Sequence, residues 1–263
     1  MTPVALTIAG SDPSGGAGIQ ADLKTFHQHR VYGEAVITLL TVQNTRGVTR
    51  VECMDPSLVA GQIVAVLSDI PPHAAKTGAL GNAGVVEAVA ASIGTTPLVL
   101  DPVMISKHGA PLIDGDAAAA LKTLLLPRAL LVTPNLHEAA ALAGIEVETK
   151  EQMIEAGLRL LDLGPVAVLI KGGHLEDRAA DVLVTRESIS WFDGDRVSTP
   201  HTHGTGCTYS AAIAARLAQG EALIDAVRGA KAFIAEAIRT NPGLGHGQGP
   251  VNHFVALSQA LPR

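Results

Sequence analysis

Apolar residues along this chain follow two alternating patterns. Six short runs are almost continuously hydrophobic: VALTIAG (4–10), EAVITLLTV (34–42), HAAKTG (73–78), PLVLD (97–101), ALLVT (129–133) and VAVLIKG (166–172). Their β-branched and leucine-rich composition, bordered by Gly or Pro, predicts strands. A strand without a polar face is covered on both sides, which predicts a parallel sheet between two helical layers. Between these runs the apolar positions recur at helical spacing. Asp55 and Pro56 begin one helix, as N-cap and first helical residue, with Val59, Ile63, Val66 and Leu67 on one face. Asn135 begins another, with Leu136, Ala139, Ala140 and Ala143 turned inward, and Ile154, Leu158 and Leu161 mark a third. A helix also follows SGGAG (14–18). DVLVT (181–185) and SISWFD (188–193) read as an antiparallel hairpin at the end of the sheet, and two helices follow over 205–219 and 221–240. The β-α-β-α order predicts an α/β fold, a three-layer α/β/α sandwich on a mostly parallel central sheet. No repeat, low-complexity tract or linker divides residues 1–263, so one domain is expected.

Composition narrows the partners. The 263 residues are 47% hydrophobic, enough for one sizeable core. A net charge of -6 without a basic block argues against binding duplex nucleic acid, and 3% aromatic content argues against base-stacking platforms. The two cysteines, Cys53 and Cys207, lie far apart and form no disulfide framework, which suits a reducing, cytoplasmic setting. Cys53 is assigned to packing. The opening MTPVALTIAG lacks a signal-peptide pattern, and no apolar run approaches the roughly 20 residues that span a bilayer.

In open α/β sheets, sites form beyond the carboxyl ends of the strands. The polar groups expected there are Gly10-Ser11-Asp12, Gln43-Asn44, Thr77-Gly78, Asp101-Pro102-Val103-Met104, Thr133-Pro134-Asn135 and Lys171-Gly172-Gly173. HTHGTGC (201–207) then enters an Ala-rich helix. Gly204 and Gly206 allow close backbone approach, and helix N-terminal amides around Thr205 favour an anion; a plain Gly/Thr cap is the simpler alternative. Cys207 at that terminus reads either as a thiol of lowered pKa or as a small buried hydrophobe. Asp101 and Glu138 suit a magnesium ion, directly or through water, although Asn135-x-x-Glu138 also reads as a capping box. Lys171 suits a phosphate or plain solvation. Gln43 offers a donor and an acceptor, matching an amino group beside a ring nitrogen, or is an ordinary strand-end amide. Asp22, early in its helix, is favoured there by the dipole, with a substrate role as the lesser alternative. His201-x-His203 and His27-x-His29 lack partners at zinc spacing. No P-loop occurs, and the Gly-rich run 10–18 does not fit the dinucleotide spacing.

Taken together, TIAGSDPSGGAGIQADLKTF (7–26), TVQNT (41–45), DPVM (101–104), TPNLHEA (133–139), IKGGH (170–174), HGTGCTYSAAIAA (203–215) and GHGQGPVNHF (245–254) resemble the hydroxymethylpyrimidine/phosphomethylpyrimidine kinases of thiamine biosynthesis, in the ribokinase-like superfamily. The resemblance implies two successive phosphorylations by ATP, first of the hydroxymethyl oxygen of 4-amino-5-hydroxymethyl-2-methylpyrimidine and then of the monophosphate. It implies that Gln43 reads the aminopyrimidine edge, with Gly10, Asp22, Val103 and Met104 lining the substrate side. Gly204, Thr205 and Gly206 would form the anion hole, Asp101 and Glu138 would organise Mg²⁺, and Lys171 and Thr133 would lie toward ATP. It also implies a homodimer. The superfamily commonly has GAGD at the anion hole, with the aspartate as base. Here GTGC puts Cys207 in that place. Leu80 replaces a commoner Met, and SKHG (106–109) a commoner TSG-type loop. The alternatives are a pyridoxal or pyridoxine kinase of the same superfamily, a cysteine hydrolase pairing Cys207 with His201 or His203, and a non-catalytic pyrimidine-binding protein.

Overall fold

The computed structural model describes residues 2–105, 109, 112–173 and 179–256. Most of the SKHG loop and the His174 end of IKGGH lie outside the described residues.

Nine strands form one sheet: β1 (Val4–Ser11), β2 (Tyr32–Asn44), β3 (Gly47–Cys53), β4 (Ala74–Thr77), β5 (Leu98–Leu100), β6 (Leu131–Val132), β7 (Ala167–Ile170), β8 (Asp181–Thr185) and β9 (Ile189–Phe192). Their spatial order is β3-β2-β1-β4-β5-β6-β7-β8-β9. The six strands from β2 to β7 in that order are mutually parallel, while β3, β8 and β9 pair antiparallel. Alternation within each strand explains why its sequence shows no polar face. Leu6 and Ile8 point into one apolar cluster and Ala5 into the other; Leu98 and Leu100 oppose Val99 in the same way, as do Val168 and Ile170 with Ala167 and Leu169.

One cluster lies under α2 (Pro56–Asp69), α3 (Ala83–Ser92), α4 (Gly115–Ala120), α5 (Leu136–Ala143) and α6 (Lys150–Leu161). The other lies under α1 (Gly18–Gln28), α7 (Thr205–Ala218) and α8 (Leu223–Arg239). The three-layer sandwich is therefore present as expected. The α7 helix is buried nearly all round; Ala211, Ala212, Ala214 and Ala215 let it approach the sheet closely. It packs on β1, β4 and β5. After β1 the chain moves outward to β2, then returns to the other side of β1 as β4. That reversal makes a crevice at the carboxyl ends of β1 and β4, and the N-terminus of α7 reaches it.

Several sequence expectations need correction. Gln43 and Asn44 do not follow β2; they are its last residues, paired with Val48 and Gly47 of β3. The β3 strand had no counterpart in the apolar pattern, because VTRVE lies on an exposed edge and mixes polar and apolar residues on both faces. Helices α3 and α4 were likewise not anticipated. Leu158 lies outward and is exposed, whereas Ile154 and Leu161 pack inward. Cys53 sits on exposed β3 rather than in the core, its sulfur against Gly81, where an added Cβ would lie 2.5 Å from it.

Candidate active site

The site is built around a turn. Gly204 caps α7 with φ +78°, a left-handed conformation that favours glycine. A Cβ there would stand 1.7 Å from the Gly16 carbonyl oxygen, so the β1–α1 loop and this turn touch through bare backbone. Thr205 Oγ1 donates to the Thr202 carbonyl (2.7 Å), and Thr208 N–H closes the first helical turn on Gly204 (2.8 Å). The N–H groups of a helix's first turn have no acceptor within the helix, and with the dipole they form an anion cradle.

On one side of the turn, a Cβ at Gly206 would lie 3.4 Å from Lys171 Nζ and 3.7 Å from Asp101 Oδ2. Lys171 donates to Asp101 Oδ1 at 2.9 Å, Thr133 Oγ1 donates to the same oxygen at 3.2 Å, and Ser210 Oγ reaches Oδ2 at 3.3 Å. Glu138 belongs to this group. It also completes the capping box, accepting from Asn135 N–H (2.8 Å) while Asn135 Oδ1 accepts from Glu138 N–H (2.9 Å). The capping role and the site position hold together. Burial pushes the Glu138 carboxyl up to about 7, against the pull of Lys171 and with the push of Asp101. Burial alone would lower Lys171, but Asp101 and Glu138 outweigh it and raise it. Met104 is half-buried against the α2–α6 cluster, and Val103 is half-buried beside it.

The other side carries a different set. Asp12 accepts from Ser14 N–H (2.9 Å), Ser14 Oγ (2.8 Å), Gly16 N–H (3.2 Å) and Ala17 N–H (2.9 Å), folding the Gly-rich loop about one carboxylate. His203 Nε2 lies 2.7 Å from Asp12 Oδ2 and 3.1 Å from the Gln43 amide. Gln43 is thus one hydrogen bond from the residue preceding the turn. Gly10 sits where the β1 register shifts, and a Cβ there would strike Leu39 at 2.5 Å. The structure places Asp22 beneath this rim rather than on it. Fully buried, it receives Lys76 at 2.9 and 3.1 Å and Thr7 Oγ1 at 2.6 Å. Burial opposes the Lys76 charge, but Asp22 outweighs it and keeps the ammonium well above the ordinary lysine range.

Cys207 is half-buried at the turn, yet its thiol is not acidified. Desolvation pushes it up to about 11; Lys76 opposes, Asp22 and Asp101 add to the rise, and the Gly18 N–H lowers it only partly. Of the two readings open for Cys207, the small buried thiol fits this placement, because dehydration and the Asp22 and Asp101 carboxylates push it up. The histidine pair 201/203 serves the turn: His201 Nδ1 accepts from Gly249 N–H at 3.2 Å, and His203 faces Asp12.

The turn therefore brings together Gly204, Thr205, Gly206, Cys207, Asp101, Lys171, Thr133 and Glu138, with Gln43 attached through His203. A family model described as phosphomethylpyrimidine kinase matches residues 12–252. The chain belongs to the phosphomethylpyrimidine kinase family. A hydroxymethylpyrimidine/phosphomethylpyrimidine kinase of Synechococcus elongatus is 48% identical over 265 residues, covering 97% of this chain and 98% of that protein. The thiamine biosynthesis bifunctional protein ThiED of Geobacter sulfurreducens is 47% identical; the match covers 98% of this chain and 54% of that protein. Among solved structures, the pyridoxal kinase of Staphylococcus aureus in complex with AMP-PCP and pyridoxal superposes with a TM-score of 0.89 at 34% identity, covering 98% and 96% of the two chains. The fold of this phosphomethylpyrimidine kinase family member is thus ribokinase-like.

Lys76 and Ser210 escaped the sequence reading; Asp12 entered it only as a rim residue after β1, and His203 only as a metal ligand or a hydrolase partner of Cys207. One signal was available for Lys76: a lysine inside the apolar run HAAKTG must find a buried counter-charge. Asp12 and His203 gave no such signal, since their contact joins positions 191 residues apart.

Proposed function

We propose that this chain transfers the terminal phosphoryl group of ATP to the hydroxymethyl oxygen of 4-amino-5-hydroxymethyl-2-methylpyrimidine, and then phosphorylates the monophosphate, in thiamine biosynthesis. One observation carries the reading: the N-terminal turn of α7 stands within 3.4–3.7 Å of the Lys171–Asp101 pair when measured from a Cβ at Gly206. Phosphoryl transfer depends mainly on positioning and on stabilising charge at the transferred group's oxygens. The amides of the turn would receive those oxygens, and Lys171 would hold the departing phosphate. Thr133 lies behind Asp101 on the nucleotide side.

The donor set beside Lys171 consists of two carboxylates, Asp101 and Glu138, with hydroxyls of Thr133 and Ser210. Hard oxygen donors in this number fit Mg²⁺ held largely through water and phosphate. The ion would supply charge neutralisation at the phosphates, and Asp101 and Glu138 would orient it. Cys207, as a neutral thiol, packs the turn and bears no proton-accepting duty. Gln43 faces the pyrimidine, with Gly10, Val103 and Met104 at its walls; Asp22 acts from below, through Lys76.

The chain works as a single cytoplasmic catalytic domain. No helix among the described residues is long and apolar enough to cross a membrane. We read it as a homodimer because exposed Leu40 and Val42 lie on β2 beside the edge strand β3. Likeness to pyridoxal kinase supports a pyridoxine-type alcohol as a slower second substrate. ADP release should depend on the aminopyrimidine alcohol and be weaker with pyridoxine. ADP release independent of either alcohol would overturn the reading.

A further inference from the structure

His203 meets two groups through one ring nitrogen. Nε2 lies 2.7 Å from Asp12 Oδ2 and 3.1 Å from the amide end of Gln43. The Asp12 carboxylate already accepts from three backbone N–H groups and the Ser14 hydroxyl, and only a carboxylate has acceptors for that many donors. The carboxylate has no proton to give, so the hydrogen between Asp12 and His203 belongs to Nε2. A nitrogen that donates to Asp12 has no lone pair left for an incoming N–H of Gln43. Oxygen and nitrogen of the amide exchange by a half-turn of the side chain. The compatible arrangement therefore puts Gln43 Oε1 against His203, as the longer second acceptor of a three-centre bond from the one Nε2–H, and turns its NH₂ away.

We propose that the Asp12–His203 pair is a positioning device for substrate choice: it fixes the Gln43 carboxamide so that its NH₂ is offered as donor to a ring nitrogen acceptor. The second lone pair of Oε1 remains for an adjacent exocyclic amino group. This deepens the pyrimidine-kinase reading and rests on it. An aminopyrimidine presents the complementary acceptor and donor side by side, whereas a pyridoxine-type ring lacks the amino donor. Without the pair, Gln43 rotates freely and the preference is lost. The same Asp12 carboxylate folds the loop whose Gly16 carbonyl abuts Gly204, so the device is tied to the anion turn.

The test compares wild type, His203→Phe, His203→Gln, Gln43→Leu and the double variant His203→Phe/Gln43→Leu, with each alcohol at saturating ATP. His203→Phe should raise KM for the aminopyrimidine alcohol about tenfold, the scale of one hydrogen bond. KM for ATP should stay unchanged, and KM for pyridoxine should change less than threefold. His203→Gln, which keeps a donor for Asp12, should recover part of the loss. In the Gln43→Leu background, His203→Phe should add nothing. Equal losses on both alcohols, or an undiminished effect without Gln43, would overturn the proposal while leaving the kinase reading intact. A wild-type chain active on neither alcohol would overturn both. Should His203→Phe not fold, ¹⁵N spectra of the wild-type imidazole decide: a protonated Nε2 supports the device, and a bare Nε2 contradicts it.

Discussion

The two flanks of the α7 turn are built on opposite electrostatic plans. On the β1–β2 flank, Asp12, His203 and Gln43 form a closed chain of hydrogen bonds, and the Asp22–Lys76 pair below is fully buried with matched charges. On the β5–β7 flank, two carboxylates share one lysine, and burial holds Glu138 near 7. The first flank is set in orientation. The second has spare negative charge, which a divalent cation can rebalance. Rigid polar networks suit recognition of a small uncharged ring, while uncompensated carboxylates suit ions that come and go with each turnover.

Between the flanks the turn itself uses backbone only, and its disruption should have the largest effect. Gly204→Ala adds a Cβ at 1.7 Å from the Gly16 carbonyl, at φ +78°. Turnover should fall at least about a thousandfold, as expected when preorganised donors are displaced. A steady-state assay of ADP release, with a thermal melt to register the accompanying destabilisation, checks this.

Next comes the β5–β7 flank. Asp101→Asn removes the partner of Lys171 and the acceptor of Thr133 and Ser210. It should lower kcat by about a hundredfold or more, with KM for the pyrimidine alcohol little changed. A comparable rise in that KM would mean the two flanks are not separate.

Glu138→Gln sharpens the contrast through pH. A carboxyl raised to about 7 is half ionised there, so wild-type kcat should rise through neutral pH as Glu138 loses its proton. The variant should lose that limb, with the larger deficit at pH 8 than at pH 6. The sign for stability is opposite. Because the folded state holds its proton more tightly than the unfolded chain, the Glu138 contribution is full below the ordinary glutamate value and is lost as pH rises toward 7. The melting temperature of the variant should therefore decline less than wild type between pH 5 and pH 7.5.

Cys207→Ser should have the smallest effect, less than about tenfold in kcat, with an unaltered pH profile. A thiol held at about 11 is neutral through the working range and accepts no proton. A new alkaline limb or a thousandfold loss would restore the base role.

The sandwich was legible because burial on both faces left β5 and β7 as unbroken apolar runs and β1 nearly so. Edge strand β3 was not, since its residues are half solvated and carry both polar and apolar side chains on each face. The glycine turn was legible as a candidate because its residues lie together in four consecutive positions, and Asp101 and Lys171 because each directly follows a strand. Lys76 was not recognised, and the pairing of His203 with Asp12 was not foreseen. Their meaning depends on partners far along the chain, Asp22 at 54 residues and Asp12 at 191. For Cys207, local position left an acidic thiol and a small buried one both open, and dehydration with the tertiary neighbours Asp22 and Asp101 favours the second.

The most direct test of the central claim is a crystal structure with a non-hydrolysable ATP analogue, Mg²⁺ and the aminopyrimidine alcohol. The account predicts the terminal phosphate against the N–H groups of Gly204 to Cys207, Lys171 beside it, and the Gln43 amide on the ring edge. A terminal phosphate bound away from that turn, with the turn's amides facing only water, would contradict it.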